Sequence, residues 1–210
     1  MQHEVSENDS GAAGRVGRRA LLGAGIGGAA LSLLPFLSGR ASASAEDTTT
    51  APPKRPTDDD IALLAFAQQV ELTARDLYDG AIGIGGWTDA EAAVMVWLRE
   101  SHEAFAQALS GLLGNKAPGT RSDEVYAALS SDFRRSRPVA VEAARALEST
   151  AVATHLDVLG RLRGTDAAVL VASIQIAEAR HCTALAHLSG SDALSDLLVD
   201  TEAPSLVGEG

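Results

Sequence analysis

Between residues 58 and 190 apolar side chains recur every three or four positions in four long stretches, each bounded by residues that start or stop helices. The first opens at Asp58-Asp59-Asp60, whose negative charge suits a helix start, and runs to Gly80, with glycines at 83, 85 and 86 beyond it. Thr88-Asp89-Ala90-Glu91 reads as a capping box, and the rhythm after it holds to Leu113 before Gly114 and Asn115. Ser136-Arg137-Pro138 places a proline in the first turn of the third stretch, which continues to Arg163 and stops at Gly164. Thr165-Asp166 caps the fourth, which ends at Ser189 and Gly190. The pattern predicts an all-α chain.

Short glycine-containing turns join the first helix to the second and the third to the fourth, so each pair is predicted as an antiparallel hairpin. Asn115 to Ser136 is long enough to run the length of a bundle and carries a short helix opened by Ser122. The expected architecture is therefore a four-helix bundle of two hairpins joined by one long crossover. Ser191 to Val199 is expected to form a last short helix, and Thr201 to Gly210 a loose acidic tail.

Composition narrows the function classes. Apolar residues make up 46% of the 210, but only 4% are aromatic, which favours packed helices over sheets. Cys182 is the lone cysteine, so an internal disulfide, a zinc ribbon and a CxxC redox site are all excluded. The net charge is −11, with 15 Arg against two Lys, and the acidic balance disfavours nucleic acid as a partner.

The N-terminus reads as an address. Polar residues lead to Arg18-Arg19, an apolar run dotted with glycine follows from Ala20 to Leu37, and the small-residue string Ala41-Ser42-Ala43-Ser44-Ala45 offers an Ala-x-Ala cleavage site. Arg18 and Arg19 ahead of a weakly hydrophobic run resemble a twin-arginine export signal. The alternative is an uncleaved membrane anchor, which four glycines and Pro35 make a poor span. The chain thus divides into a signal over 1–45, a flexible linker over 46–57, the bundle over 58–190 and a short helix with an acidic tail over 191–210. Cleavage would leave an extracytoplasmic chain with 25 acidic and 13 basic residues.

The apolar stripes contain polar residues that their phase sends inward. At 100° per residue, Glu71 lies inside the stripe of the first helix, while Gln68, Arg75, Asp76 and Asp79 fall outside. His102 sits on the centre line of the second helix. Glu148 and His155 share one line a heptad apart on the third, and Glu178 is central on the fourth with His181 three residues on. Glu71, His102, Glu148 and Glu178 all lie within about 3 Å of their helix midpoints along the axis, so an antiparallel bundle brings them to one height. Uncompensated burial of several carboxylates would cost several kcal/mol each, and a divalent metal is the simplest compensation. Carboxylate with imidazole suits iron or manganese, with zinc also open, in a mononuclear or dinuclear centre.

These residues resemble the ferritin-like superfamily, in which two helices give one Glu each and two give Glu-x-x-His. Glu71, Glu148 and Glu178-Ala179-Arg180-His181 carry the resemblance. Val70-Glu71-Leu72 leading to Leu77-Tyr78, with Ile176-Ala177 ahead of Glu178, is similar to ferritin-like domain proteins that bacteria export behind twin-arginine signals. The resemblance implies metal ligands at Glu71, His102, Glu148, Glu178 and His181, and redox work on oxygen, peroxide or ferrous iron. Position 99, where it implies a metal-bridging glutamate, holds Arg99. Arg99 is expected instead to pair with a core carboxylate, with His155 and Tyr78 standing behind the ligands. A metal-free bundle, its glutamates neutralised by Arg99 and acting as an interaction module at the cell envelope, is the competing reading. Cys182 is expected to be a small buried apolar residue and His187 to face solvent.

Overall fold

Thr57 and Asp60 start the first helix by a reciprocal cap, the Thr57 amide donating to Asp60 Oδ2 (2.7 Å) and the Asp60 amide to Thr57 Oγ1 (3.3 Å). The N-cap is thus Thr57, not the aspartate cluster, whose charges occupy the first turn. The computed structural model describes residues 51–207, so the export signal with Arg18 and Arg19 lies outside the described residues. From that cap α1 runs over Asp58–Ile82. The expected Thr88–Glu91 box is present and opens α2, Asp89–Leu113. A single 3-10 turn, Gly114–Lys116, leads into the crossover, where Ser122 caps α3, Asp123–Phe133. Pro138 sits in the first turn of α4, Arg137–Arg161, and α5 spans Thr165–Leu188, followed by the short α6, Leu194–Leu197. Among the described residues there is no strand, and no helix is long and apolar enough to cross a membrane.

The helices pair as the connections predict. α1 lies against α2 and α4 against α5, while α1 also meets α4, α2 meets α5, and α3 bridges α1 and α4. The chain is an all-α bundle of two hairpins with a long crossover. Its apolar core is split in two. One cluster gathers Leu77, Tyr78, Leu98, Phe133, Leu147 and Leu185, the other Leu64, Leu109, Val158, Val171 and Ile174. On each of the four long helices the segment between the clusters carries the polar residues singled out in the sequence.

Three segments differ from expectation because loops return onto the bundle. Gln68 is buried although its phase lies off the stripe: its Oε1 accepts from the Gly119 amide (2.9 Å), and its Nε2 donates to Ser110 Oγ and, more weakly, to the Ala106 carbonyl (3.4 Å). The crossover is further pinned to α1 by the Ser122 amide donating to Thr73 Oγ1 (2.9 Å) and by Arg121, paired with Asp76 at 3.0 Å. The linker expected to be flexible is docked from Pro53, whose carbonyl accepts from the Thr165 amide, as that of Lys54 accepts from Asp166. The tail expected to be loose lies along α4 over its described residues, the Leu206 amide donating to Thr154 Oγ1 (2.9 Å) and, just before the tail, the Asp200 amide to Ser149 Oγ (3.2 Å).

Docking of the linker also explains the residue before α5. The N-cap is Gly164 rather than Thr165-Asp166, and a Cβ there would sit 2.7 Å from the Arg55 carbonyl oxygen and 2.9 Å from Pro56 Cα. Asp60 fastens the same junction, its Oδ1 accepting from the Arg163 amide (2.8 Å) and its Oδ2 from the Gly164 amide (2.9 Å). Burial works against the charge on Asp60, but these donors with the Thr57 amide outweigh it and hold the carboxyl below its ordinary value.

Asp60→Ala leaves three backbone donors without their acceptor and is expected to destabilise the fold by about 3 kcal/mol in urea denaturation at pH 7. Because the folded carboxyl titrates below its unfolded value, that contribution is present above pH 3.8 and is lost as pH falls through the folded value. The gap between wild type and variant therefore closes in acid; a gap independent of pH would refute the role given to this carboxylate.

Candidate metal centre

Six side chains from four helices meet between the two apolar clusters: Glu71 on α1, His102 on α2, Glu148 and His155 on α4, and Glu178 and His181 on α5. Five are fully buried and His181 is 1% exposed. Because α4 and α5 are antiparallel, their residues pair crosswise. His181 Nδ1 lies 3.1 Å from Glu148 Oε2, and His155 Nδ1 lies 2.8 Å from Glu178 Oε2. His102 joins the two levels, with Nε2 3.0 Å from Glu148 Oε1 and Nδ1 2.7 Å from Glu71 Oε2. The result is two triads, His102–Glu148–His181 and Glu71–His155–Glu178, in each of which one ligating atom per residue lies within 4.8 Å of the others.

Protonation at Glu148, His102, His155 and Glu178 follows from burial and from the neighbours of each. Burial opposes the charge on Glu148, but His181 and His102 reverse that and hold its carboxyl well below the usual range. Burial likewise opposes an imidazolium at His102, and Glu148 and Glu71 still raise it well above its ordinary value. At His155 the same burial is outweighed by Glu178 and Glu71, leaving a value of about 9. Glu178 is pushed up to about 7 by burial against the pull of His155. Protons held by His102 and His155 therefore offset carboxylate charge in the absence of another cation. Tyr78 steadies the first triad: its hydroxyl donates to Glu148 Oε1, its ring stacks on His102 at 5.4 Å, and burial with Glu148 keeps the phenol protonated.

The donor set fits a divalent ion. Among the described residues, four buried side-chain polar atoms lack a hydrogen bond, and three of them, Glu71 Oε1, His155 Nε2 and Glu178 Oε1, come one from each member of the second triad, the first two facing each other at 3.2 Å. A buried polar atom without a partner costs about 1–3 kcal/mol, and two carboxylates with an imidazole, once His155 gives up its proton, are a donor set that a cation recruits. The two buried His/Glu triads are consistent with a dinuclear metal-binding site of the kind ferritin-like proteins hold.

The structure brings together Glu71, His102, Glu148, Glu178 and His181, and it revises two neighbours. Arg99 does not reach a core carboxylate: its side chain is 31% exposed and pairs with Asp79 at 3.1 Å, with Glu103 3.9 Å away. A long cationic side chain at the edge of the buried arc keeps its head in water when an acidic partner waits there. His155, expected behind the ligands, is itself a member of the second triad. Its signal was present in the shared phase with Glu148; the antiparallel partner that raises Glu178 to its height was not visible along one helix. Cys182 is buried beside Ser149 with its thiol pushed up to about 11 by burial, and His187 is exposed, as expected. Trp97 is 43% exposed with its ring edge-on to His181 at 4.9 Å, and Phe105 stacks on the same imidazole at 6.1 Å.

No curated protein and no solved structure matches the chain. The family model described as "Ferritin-like domain" matches residues 59–191. That match runs from the second residue of α1 to just past α5 and so takes in all four long helices and every member of both triads: the chain belongs to the ferritin-like domain family.

Proposed function

We propose that this is an exported ferritin-like protein that binds iron or manganese as a dinuclear centre at Glu71, His102, Glu148, His155, Glu178 and His181, for redox work on oxygen, peroxide or ferrous iron. The supporting observation is the convergence of buried Glu71, His155 and Glu178, which each bring a ligating atom to within 4.8 Å of the others and among which Glu178 Oε1 has no hydrogen-bond partner. Such ions, when bound, supply Lewis acidity and one-electron redox capacity. The chain's own residues hold donors in place and keep bulk water out. Tyr78 fixes Glu148 by its hydroxyl, the α4–α5 pairings fix the orientation of both Glu-imidazole couples, and the rings of Trp97 and Phe105 flank His181. The basis for export is Arg18-Arg19, the glycine-dotted apolar run and the Ala-x-Ala string. A route that carries folded proteins would let the metal be loaded before export. The metal-free reading needed Arg99 among the buried glutamates, and Arg99 pairs with Asp79 at the surface instead.

Elemental analysis of the purified full-length chain is expected to find close to two transition-metal ions per molecule. A Glu178→Ala, His181→Ala double variant removes one donor from each triad and is expected to lose most of that metal while a far-ultraviolet spectrum reports retained helix. Unchanged metal content in the double variant would count against the proposal.

A second expectation concerns pH. His155 at about 9 lies above its ordinary value of 6.5, and Glu178 at about 7 above 4.5, so both bind more protons folded than unfolded. Their contributions are complete below the unfolded values and are lost as pH rises through about 7 and then about 9. The urea midpoint of metal-free protein is therefore expected to fall between pH 6 and pH 9, and saturating manganese to flatten the fall. A metal-free midpoint that rises across this interval would contradict the charge balance described.

A further inference from the structure

The two triads are built from the same residue types in opposite proportion. His102–Glu148–His181 offers two imidazoles and one carboxylate, whereas Glu71–His155–Glu178 offers one imidazole and two carboxylates. With neutral imidazoles the first carries one negative charge and the second two. They also differ in what a cation would have to displace. In the first, both oxygens of Glu148 are engaged, Oε1 by His102 and the Tyr78 hydroxyl and Oε2 by His181. In the second, Glu178 Oε1 has no hydrogen-bond partner, and His155 Nε2 and Glu71 Oε1 face only each other, 3.2 Å apart.

From this asymmetry we infer that the two metal positions are unequal: the Glu71–His155–Glu178 triad takes the first ion and favours an oxygen-preferring divalent cation, and the His102–Glu148–His181 triad fills second and favours a nitrogen-preferring one. The inference rests on the metal-binding reading above and adds order and selectivity to it. Two carboxylates attract a dication more strongly than one, and although the second triad must part the 3.2 Å contact of His155 Nε2 with Glu71 Oε1, it breaks no hydrogen bond at Glu178 Oε1. The imidazole-rich triad must first give up the Tyr78 or histidine contacts of Glu148. His102 then couples the positions, since its Nε2 belongs to one triad and its Nδ1 faces Glu71 of the other. Zinc binds most sites more tightly than manganese, so the distinguishing quantity is the ratio of the two affinities at each position, which imidazole raises.

The test uses the full-length chain stripped by a chelator and titrated with Mn²⁺, with the free ion counted by electron paramagnetic resonance. One equivalent is expected to bind at least tenfold more tightly than the next. One equivalent of Zn²⁺ added after the first Mn²⁺ is expected to enter without releasing it. Glu178→Gln is expected to abolish the tight Mn²⁺ step and keep a Zn²⁺ step, and His181→Gln to do the reverse. The wild-type sequence of additions needs no variant, so a substitution that unfolds the chain leaves the test intact. Two indistinguishable Mn²⁺ steps, or stoichiometric release of Mn²⁺ by the first Zn²⁺, would overturn the inequality while leaving metal binding standing. Absence of binding by either ion would overturn both.

Discussion

Three carboxylates and three imidazoles placed out of reach of water are the constraint around which this bundle is arranged. A carboxylate buried alone would lose several kcal/mol of hydration, so no arrangement of α1, α2, α4 and α5 is tolerable unless their polar levels coincide. That requirement sets the relative height of the helices more sharply than apolar contact does, because leucine and alanine pack at many registers. The split core follows from it. Tyr78, Leu98, Phe133 and Leu147 gather on one side of the polar level and Leu64, Leu109, Val158 and Ile174 on the other. The apolar clusters provide most of the driving force, and the charged level between them selects one register.

The connecting segments serve the same end. The crossover does more than span the bundle: Gln68 and Thr73 of α1 accept from its backbone at Gly119 and Ser122, and Phe133 at the end of α3 meets the ring of Tyr78 edge-on. Tyr78 in turn donates to Glu148, so the loop is tied to the centre through one aromatic pair and one hydrogen bond. At the other end, Asp60 binds the amides that precede α5 and brings the start of α1 to the end of α4. Fixing both ends of the hairpins limits how far α4 and α5 can slide, and sliding by one turn, about 5.4 Å, would part every crosswise pair.

How much of this was legible beforehand depends on whether one helix or two had to be known. The phase of each apolar stripe is a property of a single helix, and it sufficed for Glu71, His102, Glu148, Glu178 and His181, for both hairpins and for the crossover. His155 needed two helices: it is about 10 Å from Glu148 along α4, and only the antiparallel run of α5 shows that Glu178 waits at that height. Arg99 and Gln68 failed for a related reason. Each lies at the border of a buried arc, where side-chain length and the nearest partner decide the outcome. Asp79 draws the guanidinium outward, whereas the returning crossover covers the amide. Docking of the linker at Gly164 and of the tail on Ser149 and Thr154 arises from backbone contacts that leave no period in a sequence.

The central claim is that a cation, and not protons alone, compensates this buried charge. Anomalous diffraction at the manganese edge, on crystals of protein loaded with that ion, addresses it most directly. The account predicts a strong peak within bonding distance of Glu71 Oε1, His155 Nε2 and Glu178 Oε1, and a second near Glu148 between His102 and His181. Peaks confined to surface carboxylates, with the six buried groups still hydrogen-bonded to one another, would contradict it.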